Sequence, residues 1–209
     1  DLKAKRTGVI RIGCLPSVAS TFLPRRIANF RKTYPGISFR LNDALGDKVI
    51  GMVRSGEVEF GITDVHSGAN DLESIPLLEE QMCVLFLAGH PIESAHHIDI
   101  EELARYDLIL MGHGSNARRI VDTAFAASGR MAIAACEASY MSTAVGMVQA
   151  GLGIALLPLG GVHHEIDSRF QTRVIDAPGF VRQIAIIKLK QKSLSPAAKE
   201  FVQGLHVGV

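Results

Sequence analysis

Cysteine is scarce in this chain: Cys14, Cys83 and Cys136 are the three thiols in 209 residues. They are odd in number, widely separated and set in apolar, strand-like stretches. A disulfide framework or a Cys-x-x-Cys metal site is therefore not expected, and reduced thiols fit a cytoplasmic setting. Net charge is nearly absent too. Lys plus Arg number 22 against 21 Asp plus Glu, a balance of +1, so no general electrostatic grip on nucleic acid is expected. No stretch reaches the roughly 18 uninterrupted apolar residues of a membrane helix, and no signal peptide is expected ahead of the fold. The chain opens on DLKAKRTG without an initiator Met and reads as a fragment whose upstream part was removed. It has no low-complexity linker and no short-period repeat. A Gly-x-Ser-x-Gly nucleophile elbow is missing. His96-His97 and His163-His164-Glu165 lack both the i, i+4 histidine spacing of a zinc helix and a nearby Cys. Neither metal, cofactor nor catalysis is expected.

What is present is a core. Hydrophobic residues make up 47% of the chain, enough for one sizeable domain or two small lobes. The segment VGMVQAGLGIALLP, Val145 to Pro158, poses the question of a dinucleotide loop. Such a loop needs strand, glycine turn and helix in that order. Here Met141, Ala144, Val145 and Val148 repeat at helical spacing before Gly151, and Ile154 to Leu157 form the strand afterwards. The glycines are expected to close a helix.

Elsewhere the pattern alternates. GVIRIG (Gly8 to Gly13) reads as a strand, and Leu23, Ile27, Phe30 and Tyr34 as a helix capped by Ser20 or Thr21 with Pro24 in its first turn. ISFRLND reads as a strand, and GDKVIGMVRSG as a helix with Asp47 as N-cap and Gly56 as its end. EFGIT completes a β-α-β-α-β unit of parallel strands. After the polar loop SGANDLES comes the strand MCVLFLAGHP, then helix IDIEELARY, strand DLILM, helix SNARRIVDTAFAASG, strand MAIAACE, helix YMSTAVGMVQAG and strand GIALLP. TRVIDAP and RQIAIIKLK are read as strands, and SPAAKEFVQGL as a closing helix capped by Ser195. Met52, Met82, Met131, Met141 and Met147 read as core filler, with Met141 the one candidate ligand contact.

Several features in this order resemble the effector-binding domain of LysR-type transcriptional regulators. They are RIG at Arg11 to Gly13, FLP at Phe22 to Pro24, FRKTYPGI at Phe30 to Ile37, VRSGEVEFGIT at Val53 to Thr63, His90-Pro91, Glu137, and MVQAGLGIALLP at Met147 to Pro158. The resemblance implies an α/β fold of two Rossmann-like lobes joined by crossover strands, like type 2 periplasmic binding proteins, with a ligand cleft between them. Lobe I is expected at 7–81 plus 188–209 and lobe II at 82–187; the family's N-terminal winged helix-turn-helix is absent from this chain. The implied role is sensing a small, anionic effector such as a carboxylate. The implied partners are a second copy in an antiparallel dimer, a tetramer in the full-length protein, and DNA only through the missing domain. The alternatives are a free-standing solute-binding protein of the same fold and a small α/β enzyme.

Candidate ligand residues follow from where helices begin. In parallel α/β sheets, ligands collect beyond the carboxyl ends of strands, facing the free N–H groups of helix starts. Four such starts follow PSVAST, LGDK, HGSNA and ASYMS. They nominate Pro16, Ser17, Val18, Gly46 and Asp47 from the first lobe, and Ser115, Asn116, Ser139, Tyr140 and Met141 from the second. Ser17 matches a position where the family places a hydroxyl donor to the effector, and it also reads as an ordinary turn serine. Asp47 would repel an anion and is expected to act as a cap. Arg118 and Arg119 have the reach to donate bidentately to a carboxylate, but one of two adjacent helical arginines usually faces water, and solvent is the expected place. Cys14, at a strand end near these residues, reads as a buried structural thiol rather than a redox sensor.

Overall fold

The computed structural model describes residues 7–64, 70–162 and 167–206. Along the chain the elements are β1 (Gly8–Cys14), a π-helical turn (Val18–Phe22), α1 (Leu23–Thr33), β2 (Ile37–Asp43), α2 (Gly46–Ser55), β3 (Phe60–Asp64) and β4 (Leu72–Leu87). A short 3-10 turn (Pro91–Ser94), α3 (Ile100–Leu103), β5 (Leu108–Met111), α4 (Asn116–Ala127), β6 (Ala134–Ala138), α5 (Met141–Gln149) and β7 (Ile154–Pro158) follow. The last are α6 (Leu159–Val162), β8 (Phe170–Val174), β9 (Val181–Leu189) and α7 (Pro196–Leu205). They divide into two units, residues 1–78 with 183–209, and residues 79–182. The boundaries lie a few residues from the expected 81/82 and 187/188. Residues 183–187 stand with the first unit because β9 pairs with β3 from Ile184 onward.

In the first unit β1 lies between β2 and β3, parallel to both, and β9 joins β3 antiparallel. The expected β-α-β-α-β order is thus present. One apolar cluster packs α1 and α7 against the sheet. Phe30 meets Phe39 and Phe201 edge-on at 5.8 and 5.2 Å, so Phe30 and Tyr34 of α1 serve this unit's own core. A second cluster, Val49, Ile50, Met52 and Val53 with Val58, holds α2. Helix α2 ends as expected at Gly56, whose φ of 75° is left-handed. Ser195 caps α7 by accepting the Ala198 N–H at 3.2 Å, and Pro196 follows at the first helical position.

In the second unit β4 takes β7 on one edge and β8 on the other, both antiparallel; β5 lies parallel between β7 and β6. Met82 to Phe86 are fully buried, as are Leu103, Ile109, Val148 and Ile154 to Leu157. The strand expected around MCVLFLAGHP begins ten residues earlier, at Leu72, within the end of the expected polar loop SGANDLES, and runs through a stretch of alternating burial. Helix α3 is one turn instead of the nine-residue segment expected. Strand β6 starts at Ala134, which leaves Met131 84% exposed and not core filler.

The glycine question is settled here. Helix α5 stops at Gln149, Gly151 turns left-handed at φ 76°, and Gly153, at φ 144°, leads into β7. A Cβ at Gly153 would lie 2.1 Å from the Asp107 carbonyl oxygen, so no other residue fits. These glycines let helix and strand meet in the order helix, turn, strand, the reverse of a dinucleotide-binding loop. Among the described residues no helix is long and apolar enough to cross a membrane.

Candidate functional site

In the first unit the chain leaves β1 at Cys14 and turns at once into a helix. The Leu15 N–H donates to the Ile62 carbonyl at 3.1 Å, and the Ala44 N–H to the Cys14 carbonyl at 3.0 Å. The carboxyl ends of β1, β2 and β3 are thereby tied together by backbone alone. Pro16 and Ser17 already have helical structure, and Ser17 is 6% exposed. Ser20 and Thr21 were expected to cap α1; instead both hydroxyls donate to the Ser17 carbonyl, at 3.2 and 2.7 Å, inside the helix. The reason is an extra residue. The Leu23 N–H bonds back five residues to Val18, so the turn is wide and its carbonyls reach past the usual partner. Val18 is buried beside Ser17.

The second start in this unit is α2. Its N-cap is Leu45, whose carbonyl accepts from Lys48 and Val49 at 3.0 Å. Asp47 is therefore inside the first turn, exposed, and not the expected cap; there its charge complements the helix dipole. Gly46 is buried. At the end of β3 stand two polar residues that sequence reasoning passed over, Thr63 and Asp64. Both are buried, and the Thr63 hydroxyl donates to Asp64 Oδ1 at 3.0 Å. The signal available was a hydroxyl and a carboxylate closing an otherwise apolar strand. Cys14 is buried too. Desolvation, with repulsion from Asp43, pushes its thiol up to about 12, so it is the inert structural thiol expected.

In the second unit the starts are α4 and α5. Ser115 is the N-cap of α4, accepting the Arg118 N–H at 3.1 Å, and Asn116 is the first helical residue. The preceding loop is closed by Ser115 N–H to the Gly112 carbonyl at 2.9 Å, and held to β6 by Gly112 N–H to the Ala138 carbonyl at 3.0 Å. From Ala138 the chain passes through Ser139 and Tyr140 to Met141, the first residue of α5. Tyr140 is the N-cap by backbone only, with its ring 65% exposed; Met141 is half-buried. Ser115, Asn116, Ser139, Tyr140 and Met141 thus all sit at the carboxyl ends of the neighbouring parallel strands β5 and β6.

Arg118 corrects the expectation of a solvent-facing arginine. It is 6% exposed, whereas Arg119 faces outward. Arg118 Nε donates to both oxygens of Asp122 at 2.9 and 3.0 Å, and one terminal nitrogen donates to Glu137 Oε1 at 2.6 Å. His113 Nε2 lies 3.5 Å from the same Glu137 oxygen. Burial works to lower the Arg118 guanidinium, but its bonds to Glu137 and Asp122 prevail and raise it. The Arg118 hydrogen bond in turn holds the Glu137 carboxyl below its ordinary value, against a smaller desolvation effect. The i, i+4 spacing of Arg118 and Asp122 was readable in sequence; the third partner, on another strand, was not.

His96 and His97 lie on an exposed stretch, and Arg173 donates to the Ala95 and His96 carbonyls beside it. His163, His164 and Glu165 fall outside the described residues.

Comparison with known proteins gives one answer. Over 201 residues the chain is 28% identical to the uncharacterized HTH-type transcriptional regulator YbhD of Escherichia coli K12, covering 96% of this chain and 63% of that protein. Over 197 residues it is 30% identical to the uncharacterized HTH-type transcriptional regulator YybE of Bacillus subtilis 168, covering 94% and 66%. It therefore spans a little under two thirds of the length of these relatives. Among solved structures, the effector-binding domain of QuiR in complex with shikimate superposes with a TM-score of 0.85 at 23% identity, covering 95% of each chain, and shares the fold. The chain thus has the α/β, type 2 periplasmic-binding-protein-like fold expected from the sequence. With residues 3–207 matching the LysR substrate binding domain model, the chain belongs to that family.

Proposed function

We propose that this chain is the ligand-sensing regulatory part of a LysR-type transcription factor, and that it recognises a small anionic metabolite. The ligand set is Pro16, Ser17, Val18, Gly46 and Asp47 from the first unit with Ser115, Asn116, Ser139, Tyr140 and Met141 from the second. The observation that carries this reading is repeated in each unit: two helices begin directly at the carboxyl ends of adjacent parallel strands, with a small hydroxyl residue, Ser17 or Ser115, at a helix start. Helix starts offer N–H donors and partial positive charge, which suit a carboxylate or similar anion. Asp47 favours a ligand that also carries a hydroxyl or cationic group.

Regulation follows from differential affinity. A ligand shifts a conformational equilibrium only as far as it binds one arrangement better than another. The output is DNA binding by a segment outside this chain, in an antiparallel dimer that forms a tetramer in the full protein, within the cytoplasm. Family membership and the named relatives favour a regulator over an enzyme.

A metabolite screen by thermal unfolding tests the reading. A ligand that raises Tm and is recovered chemically unchanged supports sensing; turnover of the ligand argues for an enzyme. Ser17→Ala is expected to weaken the identified ligand by about 1–3 kcal/mol, the worth of a hydrogen bond to a charged group. Unchanged affinity removes Ser17 from the ligand set.

A further inference from the structure

The second unit contains a buried cation that no ligand contact explains. Arg118 lies in the first turn of α4, and its guanidinium is almost wholly covered, yet its acceptors come from three different elements. Asp122 is one turn further along α4, Glu137 is the penultimate residue of β6, and the Met111 carbonyl, 3.5 Å from the guanidinium, ends β5. These are the points from which the two loops of this unit depart. Residues 112–115 leave from Met111 and return at Ser115, three residues before Arg118; residues 139–140 leave from Ala138, next to Glu137. The loops are also joined by the Gly112 N–H to Ala138 carbonyl bond, and His113 within the first loop approaches Glu137 and Asp122 at 3.5 and 3.9 Å.

We infer that Arg118 is a positioning residue for the ligand-binding loops of this unit: by bridging Asp122, Glu137 and Met111 it fixes how Ser115–Asn116 and Ser139–Tyr140 are presented. The inference rests on the ligand reading proposed above. Its physical basis is the shape of guanidinium. A planar group with donors on separate nitrogens can serve a carboxylate on its own helix and a second carboxylate on a strand at once. An ammonium is a point charge and cannot hold that spread of acceptors in fixed directions. Burial is what makes the arrangement specific, because a covered guanidinium that loses one acceptor has no water to replace it.

Amide hydrogen exchange on the ligand-free 209-residue chain tests this without a ligand. In Arg118→Lys, amides of residues 112–116 and 138–141 are expected to exchange about tenfold faster, while those of α3 and β7 in the same unit keep wild-type rates. The control is Val121→Ala, a buried apolar truncation on the same helix, which is expected to accelerate exchange evenly across the unit. Glu137→Gln keeps the side-chain shape and is expected to loosen the same two segments less than Arg118→Lys. Wild-type protection of both loops in Arg118→Lys overturns the inference, and so does even acceleration matching Val121→Ala. Should Arg118→Lys fail to fold, Glu137→Gln decides, and unchanged loop exchange there also overturns it. Because no effector is added, failure here is separate from failure of the metabolite screen.

Discussion

The two units solve the same local problem with different chemistry. In the first, the loops at the strand ends are tied by backbone bonds, Leu15 to Ile62 and Ala44 to Cys14, and the helix start near Ser17 has no side-chain cap. In the second, backbone bonds recur, Gly112 to Ala138 and Ser115 to Gly112, and side chains are added to them: the Ser115 cap and the Arg118 bridge to Asp122 and Glu137. Backbone ties are indifferent to sequence, whereas side-chain ties are removed by one substitution. The second unit's loops thus carry, beside their backbone bonds, side-chain ties that a single substitution at Arg118 or Ser115 removes.

The largest expected difference comes from the glycines that set each unit's packing. Gly153→Ala puts a Cβ into the Asp107 backbone at a φ that side chains rarely adopt, and is expected to cost about 3–5 kcal/mol in urea unfolding. Gly61→Ala in the first unit meets only side chains, Val49 at 2.8 Å and Ile187 at 2.9 Å, which can shift; about 1–3 kcal/mol is expected. Equal losses would mean that the second unit's backbone yields as readily as the first unit's side chains.

A smaller effect separates caps by function. Ser115→Ala and Ser195→Ala each remove one hydrogen bond at a helix start, worth about 1 kcal/mol of stability. Only Ser115→Ala is expected also to weaken the ligand found by the metabolite screen, since Ser195 opens α7 away from the strand ends named here. Loss of affinity in both variants would assign the effect to stability and take Ser115 out of the ligand set. The smallest effect is kinetic. Burial pushes the Cys14 and Cys83 thiols up to about 12, so both are expected to react with a disulfide reagent more slowly than the half-buried Cys136. Labelling of Cys14 as fast as Cys136 would show that the first unit's strand ends open readily.

Much of the fold could be read from periodicity. Alternation of apolar strands and amphipathic helices gave the β-α-β-α-β order, and the glycine run before Ile154 was assigned correctly because order, not composition, distinguishes a helix end from a phosphate loop. What escaped depends on contacts far apart in sequence or on local defects. Arg118 was placed in solvent because burial of an arginine is decided by its acceptors, and Glu137 lies 19 residues away on another strand. Ser20 and Thr21 looked like caps because a one-residue widening of the helix leaves no mark in the apolar pattern. Asp47 looked like a cap because the true cap, Leu45, uses only its carbonyl. The start of β4 escapes a sequence reading because its first three residues lie in the polar segment SGANDLES and its apolar residues up to Gln81 are interrupted by Pro76 and the Glu79-Glu80 pair.

The widened turn at Val18–Phe22 has a geometric meaning beyond its hydrogen bonds. In an α-helix each residue advances the azimuth by about 100°, so one inserted residue rotates everything before it relative to everything after. Leu23, Ile27 and Phe30 can stay locked on the core while the direction in which Pro16, Ser17 and Val18 project is set separately. A single insertion or deletion there would change the direction in which Ser17 projects relative to the face that carries Leu23, Ile27 and Phe30.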